Sequence, residues 1–211
     1  MTLHRNFWLV GGGGHALVCA DILSMSTHLT VHGVIDPAQK GDAFLSWRIQ
    51  GEEDISALLA QTSDCVLALG QVKAGMMRQS IYERYLALGA VFPAIVSSSA
   101  TVSAYAGVGD AVLVGHSAVI QPLVSLSNGV IVNTGAIVEH GTTVGAFSHV
   151  STRAVINGDC TIGAGVMIGS GAVVLQGKRI CDGATVGAGS VVTRHISEVG
   201  VYVGVPARRV D

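Results

Sequence analysis

Val102-Ser-Ala-Tyr-Ala-Gly-Val108-Gly-Asp-Ala-Val-Leu-Val114-Gly-His-Ser-Ala-Val-Ile120 opens a six-residue beat that runs without insertion to Ile196. Steps of six from Val102 meet Val108, Val114, Ile120, Leu126, Val132, Val138, Val144, Val150, Ile156, Ile162, Ile168, Val174, Ile180, Val186 and Val192, all aliphatic. Four places after each beat the residue is usually small or apolar, as in Ala106, Val112, Ala118, Ala136, Cys160 and Ala172, with Lys178 the clear exception. Neither a helical period of 3.6 nor a strand period of 2 produces this pattern. It is an internal repeat, and hexapeptide repeats build a β-helix in which short strands stack coil on coil around a narrow apolar core.

The rest of the chain bounds what the repeat can belong to. Of 211 residues, 49% are apolar and only 12% charged. So little charge suits an oligomer that hides the flanks of a solenoid. Gly, Ser, Thr and His interrupt every apolar run before the about 18 residues a membrane span needs, so no membrane insertion is expected. The N-terminus lacks a signal-peptide pattern. Cys19, Cys65, Cys160 and Cys181 are widely spaced and read as free thiols of a cytoplasmic protein. A net charge of −2 offers no basic surface for nucleic acid.

Ahead of the repeat, strand signals alternate with helix signals. Phe7–Val10 is apolar and leads into Gly11-Gly-Gly-Gly-His15-Ala16 and an apolar helical pattern. That is a strand, a glycine turn and a helix N-terminus, where backbone N–H groups can approach a phosphate. A second strand, Thr30–Ile35, ends at Asp36, about 20 residues past the glycines, where an acid commonly takes a ribose hydroxyl or a base donor. Gly51-Glu-Glu-Asp54 reads as a helix start with Ile55, Leu58 and Leu59 on its buried face. Cys65–Leu69 reads as a buried strand closed by Gly70, Ala74–Leu88 as an amphipathic helix, and Val91–Val96 as a last strand. The expected architecture is an α/β domain over residues 1–93, a small Rossmann-like parallel sheet, followed over residues 94–211 by an all-β left-handed parallel β-helix. The glycine turn with Asp36 also fits NAD or FAD, but about 93 residues barely allow a second mononucleotide half. A mononucleotide-linked ligand fits better, and a purely structural turn is the plain alternative.

If three hexads close one coil, equivalent positions recur every 18 residues, stacked about 4.8 Å apart. His140 then occupies an outward turn, and Gly158 lies on the next coil directly over it. An exposed imidazole beside an unobstructed backbone N–H pairs a base with an oxyanion donor, as acyl transfer requires. His149 closes the Val144 hexad, His116 occupies the same within-hexad position as His140 one coil and one face earlier, and sequence alone does not choose among the three. No two histidines stand at ligand spacing with a third Cys or carboxylate, so no metal is expected.

The chain resembles the hexapeptide-repeat sugar acetyltransferases of bacterial surface-glycan pathways. It is most similar to the N-acetyltransferases of nucleotide-linked 4-amino-sugars, with the sialic-acid O-acetyltransferases as cousins. The resemblance rests on Gly11–Ala16, Asp36, Gly51–Asp54, Ala68-Leu-Gly70, Asn133-Thr-Gly-Ala-Ile-Val-Glu-His140, Phe147-Ser-His-Val150 and Gly204-Val-Pro-Ala-Arg208-Arg209. It implies acetyl-CoA as co-substrate, a nucleotide-linked amino-sugar as acceptor and a homotrimer with sites between adjacent solenoids. It implies His140 as general base and Asn133 as a supporting residue. His149, Gly158, Ser170 and Ala188 match acetyl-CoA-binding positions, and Gly13, Gly14, His15, Asp36, Pro37 and Gly70 match the nucleotide-sugar site. Arg208 and Arg209 suit the phosphates of coenzyme A. Where the family carries a carboxylate directly after the base, this chain has Gly141: either the imidazole works unaided or another acid substitutes. Between Glu139, adjacent in sequence, and Asp159, one coil above Gly141 by the 18-residue rule, Asp159 is favoured. O-acetylation of a sialic acid, and a non-catalytic trimeric binding protein, remain the rival expectations.

Overall fold

The computed structural model describes residues 4–71, 74 and 76–211. The N-terminal unit is a three-stranded parallel sheet in the order β2-β1-β5, built from β1 (Arg5–Val10), β2 (Leu29–Ile35) and β5 (Cys65–Leu67). Helix α1 (Gly14–Ser24) follows the glycine turn and buries Ala16, Cys19, Ala20, Ile22 and Leu23 against the sheet. A hairpin that the sequence did not announce, β3 (Ala43–Phe44) with β4 (Trp47–Arg48), follows a short 3-10 turn at Pro37–Gln39. Asp54 caps α2 (Ile55–Gln61), its carboxylate accepting from the Ala57 N–H at 3.1 Å, the geometry expected of that acidic start. Only Leu59 of its three apolar residues is fully buried.

Two expected elements are shorter than their sequence patterns. The helix expected from Ala74 is α3 (Met77–Ala87), and residues 72, 73 and 75 lie outside the described residues. The strand expected over Val91–Val96 reduces to β6 (Ile95–Val96), with Val91 making only an isolated bridge to Asp64. Pro93 has no N–H to give a ladder, so pairing breaks around it.

From residue 95 the chain coils as expected, in two-residue strands that form three parallel sheets. One face carries β6 and the strands Leu113–Val114, Ile131–Val132, His149–Val150, Met167–Ile168 and Thr185–Val186. A second face carries Thr101–Val102 through Val191–Val192, and the third Gly107–Val108 through Arg179–Ile180. Partners from Ile95 to Val192 are 18 residues apart, as in Ile131 with His149 and Val138 with Ile156, and the spacing falls to 16 only where the last coil is capped, as in Thr185 with Val201. This is the left-handed β-helix architecture. From Val114 to Val192 the beat residues are at most 2% exposed, whereas Val102 and Val108 on the open first coil are half-buried. Hydroxyls that replace small residues in the core answer to the backbone: Thr142 donates to the Asn157 carbonyl, and Ser148 to that of Gly163. Val201–Val203 and Arg208–Arg209 cap the last coil.

The two units share packing. Leu113, Ile131 and Ile95 of the first solenoid face join the core of α1 and β1, while Phe147 joins Tyr82, Tyr85 and Phe92. The N-terminal unit therefore sits on the first face, and this contact sets the site. No helix among the described residues is long and apolar enough to cross a membrane.

Candidate active site

His140 lies on the turn between the second and third faces, its side chain 57% exposed. Gly158 does sit on the next coil against it: a methyl group there would fall 2.5 Å from Cε1 and 2.7 Å from Nε2 of the imidazole. Only glycine leaves room for this ring orientation, since real Cβ atoms do not approach so closely. Asp159 follows, with Oδ1 at 3.9 Å from His140 Nδ1. A side chain at Gly141, which has φ +68°, would collide with that same Asp159 oxygen. The carboxylate thus fills the space above residue 141 from one coil further on. Gln176 Nε2 donates to its other oxygen at 3.4 Å.

His149 belongs to the first face and is buried under the N-terminal unit. Its Nδ1 is 2.8 Å from the Gln71 carbonyl, so Nδ1 carries the proton and donates. Nε2 then accepts from the Asn133 amide at 3.1 Å, while Asn133 Oδ1 accepts from the Thr134 N–H at 2.7 Å. Burial pushes the His149 pKa down to about 4, partly offset by the bond to Gln71. His149 is a neutral imidazole with both nitrogens engaged, unsuited to act as a base. Ser170 and Ala188, on the two coils beyond, line with His149 and Gln71 a cavity of about 360 Å³.

In the N-terminal unit the outer sides of Gly13 and Gly14 are open, with nothing within 4 Å of where a side chain would start. His15 turns inward, where burial first and then the charge of Arg78 lower its pKa to about 4. Gly70 lies against it, a methyl there coming within 3.2 Å of the His15 Cβ. Asp36 is more occupied than its sequence position suggests. Its Oδ2 accepts from the Gly12 N–H at 2.9 Å and from Gln39 at 3.0 Å, and its Oδ1 from the Ala38 N–H at 3.0 Å. Three of about four acceptor positions are thereby filled, which leaves one for a ligand. A cavity of about 210 Å³ opens beside it, lined by Gly11, Asp36, Pro37, Glu52 and Arg84 among others. Burial alone would raise the Glu52 pKa, but hydrogen bonds from Arg84 and Tyr85 hold it below the ordinary carboxylate range.

One chain therefore keeps its candidate residues in two places. His149, Asn133, Ser170, Ala188, His15 and Gly70 gather around the seam on the first face. His140, Gly158 and Asp159 stand at the corner where the other two faces meet, which in a triangular coil is opposite the first. At the tail, Arg209 already pairs with Glu198 at 2.9 Å and Asp211 at 3.4 Å. Sequence reading missed Gln71 and Arg78, both buried at the seam. The four cysteines are unpaired, and no cluster of metal-ligating side chains occurs among the described residues.

A β-helix with an exposed histidine over a bare glycine is the scaffold of hexapeptide-repeat acyltransferases, and comparison narrows the class. Residues 6–85 match the PglD N-terminal domain. The acetyltransferase domain of PglB from Neisseria gonorrhoeae FA1090, solved in complex with acetyl coenzyme A, is 31% identical, with 98% of this chain and 100% of that one covered and a TM-score of 0.88. PerB from Caulobacter crescentus, solved with CoA and GDP-perosamine, is 28% identical over 98% of both chains, TM-score 0.90. WeeI from Acinetobacter baumannii AYE shares the fold at 18% identity, covering 98% of this chain and 100% of that one, TM-score 0.67. No curated protein matches the chain in sequence. The chain belongs to the family of hexapeptide-repeat sugar acetyltransferases that includes the gonococcal PglB domain.

Proposed function

We propose that the protein transfers the acetyl group of acetyl-CoA to the amine of a nucleotide-linked 4-amino-deoxysugar of the UDP-4-amino-4,6-dideoxy-N-acetylhexosamine type. The observation that carries this is the imidazole of His140 stacked on the side-chain-free backbone of Gly158. The amine nitrogen attacks the thioester carbonyl, the C–N bond forms and the C–S bond breaks. His140 takes the proton shed by the amine and returns it to the departing sulfur. The thioester is already activated, so no cysteine is acylated; Cys19 and Cys65 are buried, with thiol pKa values pushed up to about 12 by burial.

Asp159 takes the orienting part of the carboxylate that Gly141 lacks, and Gln176 steadies it. His149 and Asn133 support the seam, while the cavity bearing Ser170 and Ala188 takes the acyl donor. The open glycine turn and the Asp36 cavity take the nucleotide. Because His140 is opposite that seam within one chain, a complete site needs a second chain to bring its corner to the first face. A homotrimer with three such sites satisfies this and explains the charge-poor flanks.

His140→Ala should lower turnover by about 10²–10⁴ while acetyl-CoA still binds, measured by thiol release with a panel of UDP- and GDP-linked 4-amino-sugars and free sialic acid. Turnover within a few fold of wild type would sink the assignment of the base. Release with sialic acid alone would move the reading to O-acetylation, and release with nothing to a binding protein.

A further inference from the structure

Seven buried side-chain nitrogen and oxygen atoms lack a hydrogen-bond partner among the described residues, and five of them belong to three side chains: His15 Nε2, both amide atoms of Gln71, and Nε and Nη2 of Arg78. The three gather at one place. Gly70 abuts His15, the next residue's carbonyl holds His149, and the charge of Arg78 acts on both His15 and His149.

Arg78 is the least ordinary of them. It sits in the first turn of α3, is 2% exposed, and among the described residues makes one hydrogen bond, from Nη1 to the Gly129 carbonyl at 2.8 Å. No carboxylate pairs with it among the described residues, whereas Arg5 pairs with Asp64, Arg84 with Glu52 and Lys40 with Glu53 in the same unit. A buried guanidinium without a counter-charge is strongly disfavoured unless something compensates it. Its neighbours do not. His15 is neutral near pH 7, and α1 adds the positive end of its dipole, its N-cap Gly13 supplying no side-chain acceptor for the first N–H groups. The near end of the α1 dipole is positive like the guanidinium, the Gly129 carbonyl is the acceptor Arg78 has among the described residues, Asp36 holds the Gly12 N–H, and the outer sides of Gly13 and Gly14 are open. The arrangement is complete only with an anion present.

We propose that Arg78 is the charge that seats the diphosphate of the nucleotide-linked substrate, acting from beside His15 on phosphates that lie against the N–H groups of the open glycine turn. The assignment rests on the nucleotide-sugar reading given above and adds to it the residue that senses phosphate charge. Arg78 is a positioning residue here, so its signature is a dependence on ligand charge and not a general loss of binding.

The test is calorimetric titration of the full-length protein with nucleoside, nucleoside monophosphate and nucleoside diphosphate, in uridine and guanosine series, for wild type, Arg78→Met and Arg78→Lys. Affinity should climb with phosphate number in wild type. Arg78→Met should weaken diphosphate binding about tenfold or more, as expected for one buried charge, and leave the nucleoside within about twofold. Arg78→Lys should keep most of the preference. Equal weakening of nucleoside and diphosphate, or no change, overturns the proposal and makes Arg78 a packing residue. Should Arg78→Met not fold, Arg78→Lys decides: a preference for diphosphate that survives over a range of salt supports a charge effect, and its disappearance overturns one. If wild type binds neither series, the nucleotide reading falls, and this proposal with it.

Discussion

The solenoid and the seam solve opposite problems with the same chain. In the solenoid each residue answers to the one 18 places away, so a local rule repeated many times makes a dry core with its hydroxyls satisfied. At the seam nothing repeats. His149 finds its partner 78 residues back at Gln71, Arg78 finds its partner 51 residues on at Gly129, and five polar atoms find none among the described residues. Regularity gives a stable frame, and the departures from it mark where a ligand belongs.

The contrast can be broken first at the corner. Gly158→Ala places a methyl against the His140 ring, so turnover should fall by about the 10²–10⁴ of losing the base, with the melting temperature little changed. A variant that turns over normally would mean that the ring does not work in this orientation. Next in size is the frame: Ile162→Ala, deep in the regular core, should cost about 2–5 kcal/mol in chemical denaturation and leave the preference among nucleotides intact.

The seam should announce itself in acid. Below about pH 6.5 the imidazoles of the unfolded chain take protons that His15 and His149 refuse until about pH 4, because burial holds both neutral. Stability should therefore fall as pH drops across that window, by about 1.4 kcal/mol per unit for each residue. His149→Gln should flatten the slope measured by denaturation at several pH values, and an unchanged slope would remove His149 from the account. The smallest expected effect is at Asp159. Asp159→Asn should lower turnover in the thiol-release assay by about tenfold or less, since the exposed pair is screened by solvent, and unchanged turnover would remove Asp159 from the account.

Much of this was legible in the residues. The beat announces the solenoid because its core is built from near neighbours, and the 18-residue rule places Gly158 over His140 before any coordinates are known. The glycine turn and the cap at Asp54 are equally local. What stayed hidden depends on what lies opposite a side chain. Arg78 in Met-Met-Arg-Gln-Ser looks like an exposed helix residue until Gly129 and His15 are seen around it. Asp36 reads as a free carboxylate until Gly12, Ala38 and Gln39 are found to occupy it. Val91–Val96 promised a full strand, and Pro93 broke it.

The stacking of the N-terminal unit on the first solenoid face also limits how such a chain can change its length. That unit rests on Ile95, Leu113, Ile131 and His149, four successive rungs, and the two rungs beyond carry Ser170 and Ala188. Duplication of a whole coil would preserve every backbone bond of the solenoid. Placed anywhere between those rungs, however, it would slide one half of the site past the other by a strand spacing. Between Gly189 and the capping strand at Val201 a duplicated coil disturbs neither half. The chain is free to grow in length at one end only, and insertions among its descendants should accumulate there.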